Sequence, residues 1–469
     1  MTNAGHEYGM TDHLIRYMVS AHQAELPLEV VDEAKYHILD TIAAMVSGTQ
    51  LPPGRKALEY ADLYGMGEHA SIASRQRLAT PQVAALVNGM LAHADETDDS
   101  HANASMHPGC SIVPAALAMS EKNDLDGDSL IRAVVLGYDA GVRMMKALGP
   151  SLGSRGSQLS AGYRYDRHAL GGTFGSAVAA GACASSAFDE TQWNYLLSYA
   201  AHQASGMPSY PLDSGHVEKS FIFGGMPSRN GVTAATMVEA GFTGIVNDIE
   251  GEGGFIHCFG TAEADVTELS SELGERYEIL NTNIKKYSVG SPCQAPVDSL
   301  VNIIDRHRVL VDDCERMTLY AVAGETPITR RDQEMPSLNV RYLLAATLLD
   351  GRLGFAAAHD RARMSSPEVQ ELMDRIDIQA DPNLITPESR RQAIVEFQTR
   401  DGQLFREHVV TVRGTVKNRM SKREVDEKAR DLLELALPAQ TASSLIDRVH
   451  DLQSPGSVAY LTQMLRASV

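Results

Sequence analysis

The stretch GGTFGSAVAAGACASSA, residues 171–187, constrains this chain more than any other. It is rich in Ala, Gly and Ser, and small residues let neighbouring backbones approach closely. It reads as a helix buried among helices, and its length and serines argue against a membrane span. Candidates for the surrounding helices recur along the chain. In PLEVVDEAKYHILDTIAAMVSG the apolar residues Leu28, Val31, Ile38, Ile42 and Met45 fall at helical spacing, and Ser47-Gly48 closes the run. Thr80-Pro81 pairs an N-cap residue with proline at the first helical position and opens PQVAALVNGMLAHADE. SIVPAALAMSEK and DSLIRAVVLGYDAGVRMMKAL continue the pattern.

The chain has 469 residues, 43% hydrophobic and 22% charged, which is ordinary globular composition with room for two or three domains of roughly 150 residues each. Its net charge of −19 makes it a poor binder of nucleic acid or of anionic membrane. An anionic substrate would need positive charge gathered locally in a pocket. There is no basic segment followed by an apolar one at the start, and no uninterrupted apolar run of about 18 residues. Five cysteines, Cys110, Cys183, Cys258, Cys293 and Cys314, with no pair closer than 21 residues and no CxxC, suggest neither a zinc ribbon nor a ferredoxin-type cluster. A reduced, cytoplasmic protein is the expectation.

Residues 149–166, GPSLGSRGSQLSAGYRYD, carry no apolar period and read as a long loop. From about residue 266 the character changes. MTLYAVAG (317–324) and IDIQAD (376–381) read as strands, and Asp401-Gly402 between the alternating runs of 394–412 predicts a type I′ hairpin. LNVRYLLAATLLDG (338–351) lies among them as a helix, and SKREVDEKARDLLELA and TASSLIDRVHDL return to helix. The fold class expected is therefore mainly α: a large helical domain of residues 1–265 and 411–469, and a smaller α+β domain of residues 266–410.

The densest polar cluster is HADETDDSHANASMHPG, residues 93–109. Three histidines interleaved with carboxylates, closed by Pro-Gly, are what general acid–base chemistry needs, because each group tunes the proton affinity of the other. No tight metal-ligand spacing such as HExxH accompanies them. Cys293 has no sequence feature that would lower its pKa and reads as a buried structural thiol.

The segment AALVNGMLAHADETDDSHANASMHPGCSIVPAALAMSE resembles the signature of the MmgE/PrpD family, which includes 2-methylcitrate dehydratase, cis-aconitate decarboxylase and iminodisuccinate epimerase. The matching features are Asn88-Gly89, His93-Ala94, Glu96, Asp98-Asp99 and His107-Pro108. GGTFGSAVAAG, EKSFIFGGMPSRNGVTAA, IKKYSVGSPCQAPVDSL and PSLNVRYLLAATLLDG resemble further family segments in the same order, so the likeness spans nearly the whole chain. The resemblance implies an all-helical domain with an α+β lid, a homodimer, an active site between the domains and no metal or organic cofactor.

Residue by residue, it places Glu96 at the acidic position that contacts the substrate region, Ser100 at the hydroxyl position after the Asp-Asp pair, and His107 at the following histidine. Lys219 matches one family lysine, and Lys285, with Lys286 beside it, matches another. The sequence departs from the family where a Gly-Trp/Phe-His segment is usual. It has YRYDRHALGG there, with His168 as the nearest histidine. Tyr287 keeps the family's aromatic residue, but Ser288 replaces a proline, and Cys293-Gln294 replaces a Cys-x-x-His-type segment.

The chemistry implied is carbon-acid chemistry beside carboxylates. His107 is the expected proton-transfer group, oriented by Glu96 or Asp98, with His101 and His168 as substitutes. Lys219, Lys285 or Lys286, and Arg164 or Arg167 would hold a carboxylate substrate, with Ser100 and Tyr287 beside them. Decarboxylation of a cis-aconitate-like acid leads. Dehydration of a 2-methylcitrate type and epimerisation of a dicarboxylate such as iminodisuccinate come next, and a catalytically silent family member comes last.

Overall fold

The computed structural model describes residues 9–466 apart from 22, 151–164, 211, 212, 214, 323–325, 327, 387, 388 and 390. The expected loop at 149–166, with Arg164, falls almost entirely outside the described residues. The chain divides into two compact units: residues 1–94, 98–282 and 432–469 form the first, and 95–97 with 283–431 the second.

The first unit is built on the helical segments α1 Met10–Ala21, α2 Leu28–Gly48, α3 Pro52–Tyr64, α4 Pro81–Ala92, α5 Gly109–Lys122, α6 Gly127–Ala147, α7 Arg167–Ala182, α8 Glu190–Gln203, the short α9 Val217–Ser220 and α10 Met226–Glu239. Thr80 caps α4, its side chain accepting from Val83 N at 3.4 Å. The small-residue helix α7 is buried along nearly its whole length. A Cβ on Gly137 of α6 would lie 2.8 Å from the Gly175 carbonyl of α7, and one on Gly231 of α10 would strike the backbone of α7 at Ser176–Ala177. The backbones of α6 and α10 thus approach α7 directly, as small residues allow. The unit also holds a two-stranded antiparallel hairpin, β1 Ala70–Ile72 and β2 Arg75–Ala79, turning at Ser74 with φ 63°. The C-terminal helices Ala439–His450 and Ser457–Arg466 belong to this unit; Leu465 O accepts from Ser74 N at 2.9 Å, and Gln453 accepts from Lys35 Nζ at 3.0 Å.

In the second unit a four-stranded sheet runs β4-β3-β5-β6, from β3 Cys314–Ala321, β4 Ile376–Ala380, β5 Ala393–Thr399 and β6 Leu404–Val409. The β3–β4 pair is parallel and the others antiparallel, with Leu319 opposite Val395 and Met317 opposite Phe397. These four residues form a core with Val297, Leu300 and Ile303 of helix Ser291–His307 and with Leu343 and Leu344 of helix Val340–Asp350. The β5–β6 hairpin differs from the type I′ expectation. Four residues separate the strands, and of Asp401-Gly402 only Gly402 takes a positive φ, 88°. The Asp401 carboxylate accepts from Thr399 Oγ1 and Gln403 Nε2, which holds it at the wider turn.

The boundaries also differ from 266 and 410. Residues 266–282 stay with the first unit because the buried guanidinium of Arg143 donates to the carbonyls of Ser271 and Arg276 at 2.5 and 3.0 Å. Residues 411–431 stay with the second: Arg413 N donates to Asp298 Oδ2 at 3.0 Å, and Val416 N to Asn283 Oδ1 at 2.9 Å. No helix among the described residues is long and apolar enough to cross a membrane.

A second close backbone approach joins α4 to the segment that leads into α10. A Cβ on Gly224 would strike the Gly89 carbonyl, and one on Gly89 would lie 2.5 Å from Gly224 O. Gly224→Ala is expected to lower stability by about 1–3 kcal/mol through overpacking against immovable backbone. Gly354→Ala, whose Cβ would meet nothing nearer than 3.7 Å, should leave the melting temperature nearly unchanged. Thermal unfolding of the two variants checks this.

Candidate active site

The loop that succeeds α4 is held by two adjacent carboxylates facing different ways. The Asp99 carboxylate is buried and lies against three donors: His37 Nδ1 at 2.7 Å, Tyr138 Oη at 2.6 Å and Gly109 N at 2.9 Å. Burial opposes protonation of His37, but the hydrogen bond and charge of Asp99 outweigh it and raise its pKa. Burial and then the Asp99 charge hold the Tyr138 phenol well above its usual range, so it remains a donor. Asp99 thereby ties the loop to α2, α5 and α6.

Asp98 faces the imidazoles. Its Oδ2 lies 2.9 Å from His93 Nδ1 and 3.3 Å from His107 Nδ1. A carboxylate accepts, so the hydrogen-bonded His93 carries its proton on Nδ1, while His107 Nδ1 lies within ion-pair distance of the same oxygen. The His93 and His107 ring centroids are 5.3 Å apart, edge to face. His168 makes a second dyad: its Nδ1 lies 2.6 Å from Asp166 Oδ1, and the same oxygen caps α7 by accepting from His168 N. The His107 and His168 centroids are 5.2 Å apart.

Phe223 supplies the apolar wall. It sits in the π-helical turn Phe221–Gly225 between α9 and α10, where the contact of Gly224 with Gly89 draws it towards the end of α4. Its ring stacks on His168 at 4.0 Å and 12° and on His93 at 4.6 Å and 27°. Lys219 Nζ lies 5.1 Å from the Phe223 centroid and 5.6 Å from that of Tyr210, within range of cation–π attraction. The turn carrying Lys219 is set by Asp213, whose carboxylate accepts from Gly215 N, Glu218 N and Lys219 N at 3.1, 2.6 and 3.1 Å.

The structure thus gathers His107, Asp98, His168 and Lys219. His101 is engaged elsewhere: Ala104 N donates to its Nδ1 at 3.1 Å, which puts the proton on Nε2, 3.3 Å from Glu278 Oε2. Arg167 donates to the carbonyls of Met145 and Gly149 at 2.9 and 2.8 Å, closing the end of α6. Burial, only partly offset by Tyr165, lowers its pKa. Ser100 is half-buried between Asp99 and His101.

The remaining expected residues lie in the second unit. Lys285 is buried and donates to the backbone carbonyl of Glu96 at 2.7 Å, so residues 95–97 are held within that unit. Asp95 and Thr97 add to this: Asp95 pairs with His359 Nε2 at 2.8 Å, and Lys428 donates to Thr97 O at 3.0 Å. Lys286 Nζ and Tyr287 Oη both reach Asp298 Oδ1, at 3.1 and 2.8 Å. Cys293 is buried, and burial, with the Glu96 charge added, pushes its thiol up to about 12.

His93, Asp98 and Cys110 have potential metal-ligating atoms within 4.8 Å of one another. Here Asp98 is hydrogen-bonded to His93 and lies 3.3 Å from His107 Nδ1, and the Cys110 thiol donates to the His107 carbonyl at 3.3 Å. The trio is therefore organised as a hydrogen-bonding group. The residues not anticipated from the sequence are Tyr210, Asp213, His216 and Phe223, together with the pairing roles of His93 and Asp166. Only Asp166 carried a local signal, as an N-cap residue opening a helix.

A second network centres on Glu278. Glu278 takes His101 at 3.3 Å, Lys146 at 3.4 Å and Arg276 at 3.1 Å. Burial alone would raise its pKa, but these partners lower it to about 2. Asp139 accepts from Glu278 N at 2.6 Å, and burial raises its carboxyl to about 7.

Two comparisons bear on identity. Residues 12–267 match the MmgE/PrpD N-terminal domain and residues 287–452 the MmgE/PrpD C-terminal domain. Among curated proteins, the chain is 24% identical to the cis-aconitate decarboxylase-like protein oryM of Aspergillus oryzae, over 99% of each chain. It is 23% identical to a cis-aconitate decarboxylase of Aspergillus terreus, over 98% of this chain and 96% of that one. It is 21% identical to a human cis-aconitate decarboxylase, over 93% of this chain and 90% of the relative.

The raised carboxyl of Asp139 predicts a pH dependence of stability. An unfolded Asp titrates near about 3.9 and the folded one near about 7, so the folded state binds the extra proton between them. Stability from this group is complete below the lower value and is lost as pH rises through the higher one. Asp139→Asn is expected to match wild type near the lower value and to exceed it above the higher one. Denaturant unfolding across that range checks this.

Proposed function

The chain belongs to the MmgE/PrpD family, and on that premise we propose that it is a lyase acting on a small di- or tricarboxylate, with decarboxylation of a cis-aconitate-like acid as its reaction. The observation that carries this reading is the pair of dyads, His107–Asp98 and His168–Asp166, with ring centroids 5.2 Å apart. Lys219 is held beside them over Phe223.

In this reading Lys219 attracts a substrate carboxylate. The bond from the methylene carbon to its carboxylate breaks, and that electron pair forms a new carbon–carbon double bond. The original double bond shifts its pair to the carbon next to another carboxylate, giving an enolate-like anion, and CO2 leaves. The imidazolium of His107 then delivers a proton to that carbon. One proton is consumed for each CO2 released. Lys219 stabilises the anion in a site lined by Phe223, where charge interactions are stronger than in water. Asp98 fixes the His107 tautomer and balances its charge when protonated.

A second reading is favoured by the same observation. Two imidazoles can divide the work of a dehydratase, one removing the proton alpha to a carboxylate and the other protonating the departing hydroxyl.

The test is proton NMR in D2O of purified protein with cis-aconitate, 2-methylcitrate or iminodisuccinate in separate samples. Decarboxylation predicts a five-carbon alkene product from cis-aconitate with one deuterium on the new methylene carbon. A new alkene from 2-methylcitrate without CO2 loss would favour dehydration instead. Deuterium entering iminodisuccinate without net conversion would favour epimerisation. Lys219→Ala should raise KM for the accepted substrate at least about tenfold by removing a charge-assisted contact.

A further inference from the structure

His216 is a buried histidine in a backbone conformation that costs it. It immediately precedes α9 with φ 59° and ψ 9°, in the left-handed region. A glycine, or an asparagine able to cap the helix as well, would adopt that conformation more readily. The His216 side chain makes no capping hydrogen bond, and the Asp213 carboxylate accepts from the first amides of the turn instead. The backbone therefore does not require an imidazole at this position.

What the imidazole meets is the active-site cluster. Its ring stacks on His93, centroids 5.3 Å apart and planes at 30°. His93 is also stacked on Phe223, and its Nδ1 faces Asp98 Oδ2, the oxygen that faces His107 Nδ1. The other non-glycine residues of positive φ among those described, Ser74, Ser105, Asp124, Asn247, Glu272 and Arg308, carry no ring that could do this.

We propose that His216 is a positioning residue of the proton-transfer site: its ring backs His93, His93 orients the Asp98 carboxylate, and Asp98 presents His107. The inference rests on reading His107–Asp98 as the proton-transfer pair. It adds that the second imidazole on Asp98 is itself held by a third ring, which arrives on the segment that carries Lys219. The site's proton donor and its cation are thereby placed by one segment of chain, the one that carries Asp213, His216 and Lys219.

The test uses the full-length protein with selectively ¹⁵N-labelled histidine, comparing wild type, Asp98→Asn, His216→Gly and His216→Asn. In wild type the Nδ1–H signals of His93 and His107 should be shifted to low field by Asp98. Asp98→Asn should move both. His216→Gly and His216→Asn should move His93 and, through Asp98, His107, while the melting temperature stays level or rises because both residues suit the left-handed backbone. In turnover of cis-aconitate, His216→Gly should lower kcat about tenfold with KM little changed, the scale expected of groups that orient a reactive imidazole, and added imidazole should restore part of it. If Asp98→Asn moves the two signals but neither His216 variant does, the role given to His216 is overturned and the proton-transfer pair stands. If Asp98→Asn leaves the His107 signal in place, the pair itself is overturned.

Discussion

Asp99 is where the chemistry of this protein is anchored to its fold. A buried carboxylate is costly unless donors surround it, and here three do: an imidazole from α2, a phenol from α6 and the first amide of α5. Removing the carboxylate would leave those donors unsatisfied, so three helices and the loop hold each other in one arrangement. The neighbouring residue inherits that rigidity. Asp98 cannot go the way of Asp99, and it turns its Oδ2 to the rings of His93 and His107. One Asp-Asp step thus separates a carboxylate that ties three helices together from one that faces two imidazoles.

The aromatic half of the site depends on backbone contact rather than on side-chain packing. Gly89 lies in the last turn of α4 and Gly224 in the π-helical turn, and neither has room for a Cβ. The contact places Phe223 against His93 and His168, and a π-turn at such a point is a known mark of functional segments. Lys219 sits just before that turn, so apolar wall and cation are placed together. Lys219 lies over the faces of Phe223 and Tyr210, within range of cation–π attraction.

Much of this was legible in the sequence, and the limits have physical causes. The run of small residues at 171–187 announced a buried helix, and α7 is buried as expected up to its end at Ala182, whereas Ser185, Ser186 and Ala187 beyond it are exposed. Thr80-Pro81 and the alternating strands near 394–412 carried local signals. The turn between those strands carried one too, Asp401-Gly402, but it misled, because a side-chain hydrogen bond from Thr399 to Asp401 competes with the tight type I′ turn. His107 and Asp98 could be named because both lie in one polar loop. Lys286 and Tyr287 were expected as substrate ligands from a likeness to a known segment, and Arg167 from the fit of a guanidinium to a carboxylate, neither of which reveals a residue's partners; Asp298 and the carbonyls of Met145 and Gly149 engage them here. His216 had no local pattern at all, since its meaning comes from a ring contact with a residue far away in sequence.

The central claim is that His107, presented by Asp98, moves the proton. Single-turnover measurement of the His107→Gln variant mixed with cis-aconitate tests it most directly, because binding and chemistry are then read separately. Substrate should still bind, seen as quenching or as retention on a spin column, while CO2 release falls by a factor of about 100 or more. Release of CO2 at a rate close to that of the wild type would contradict it.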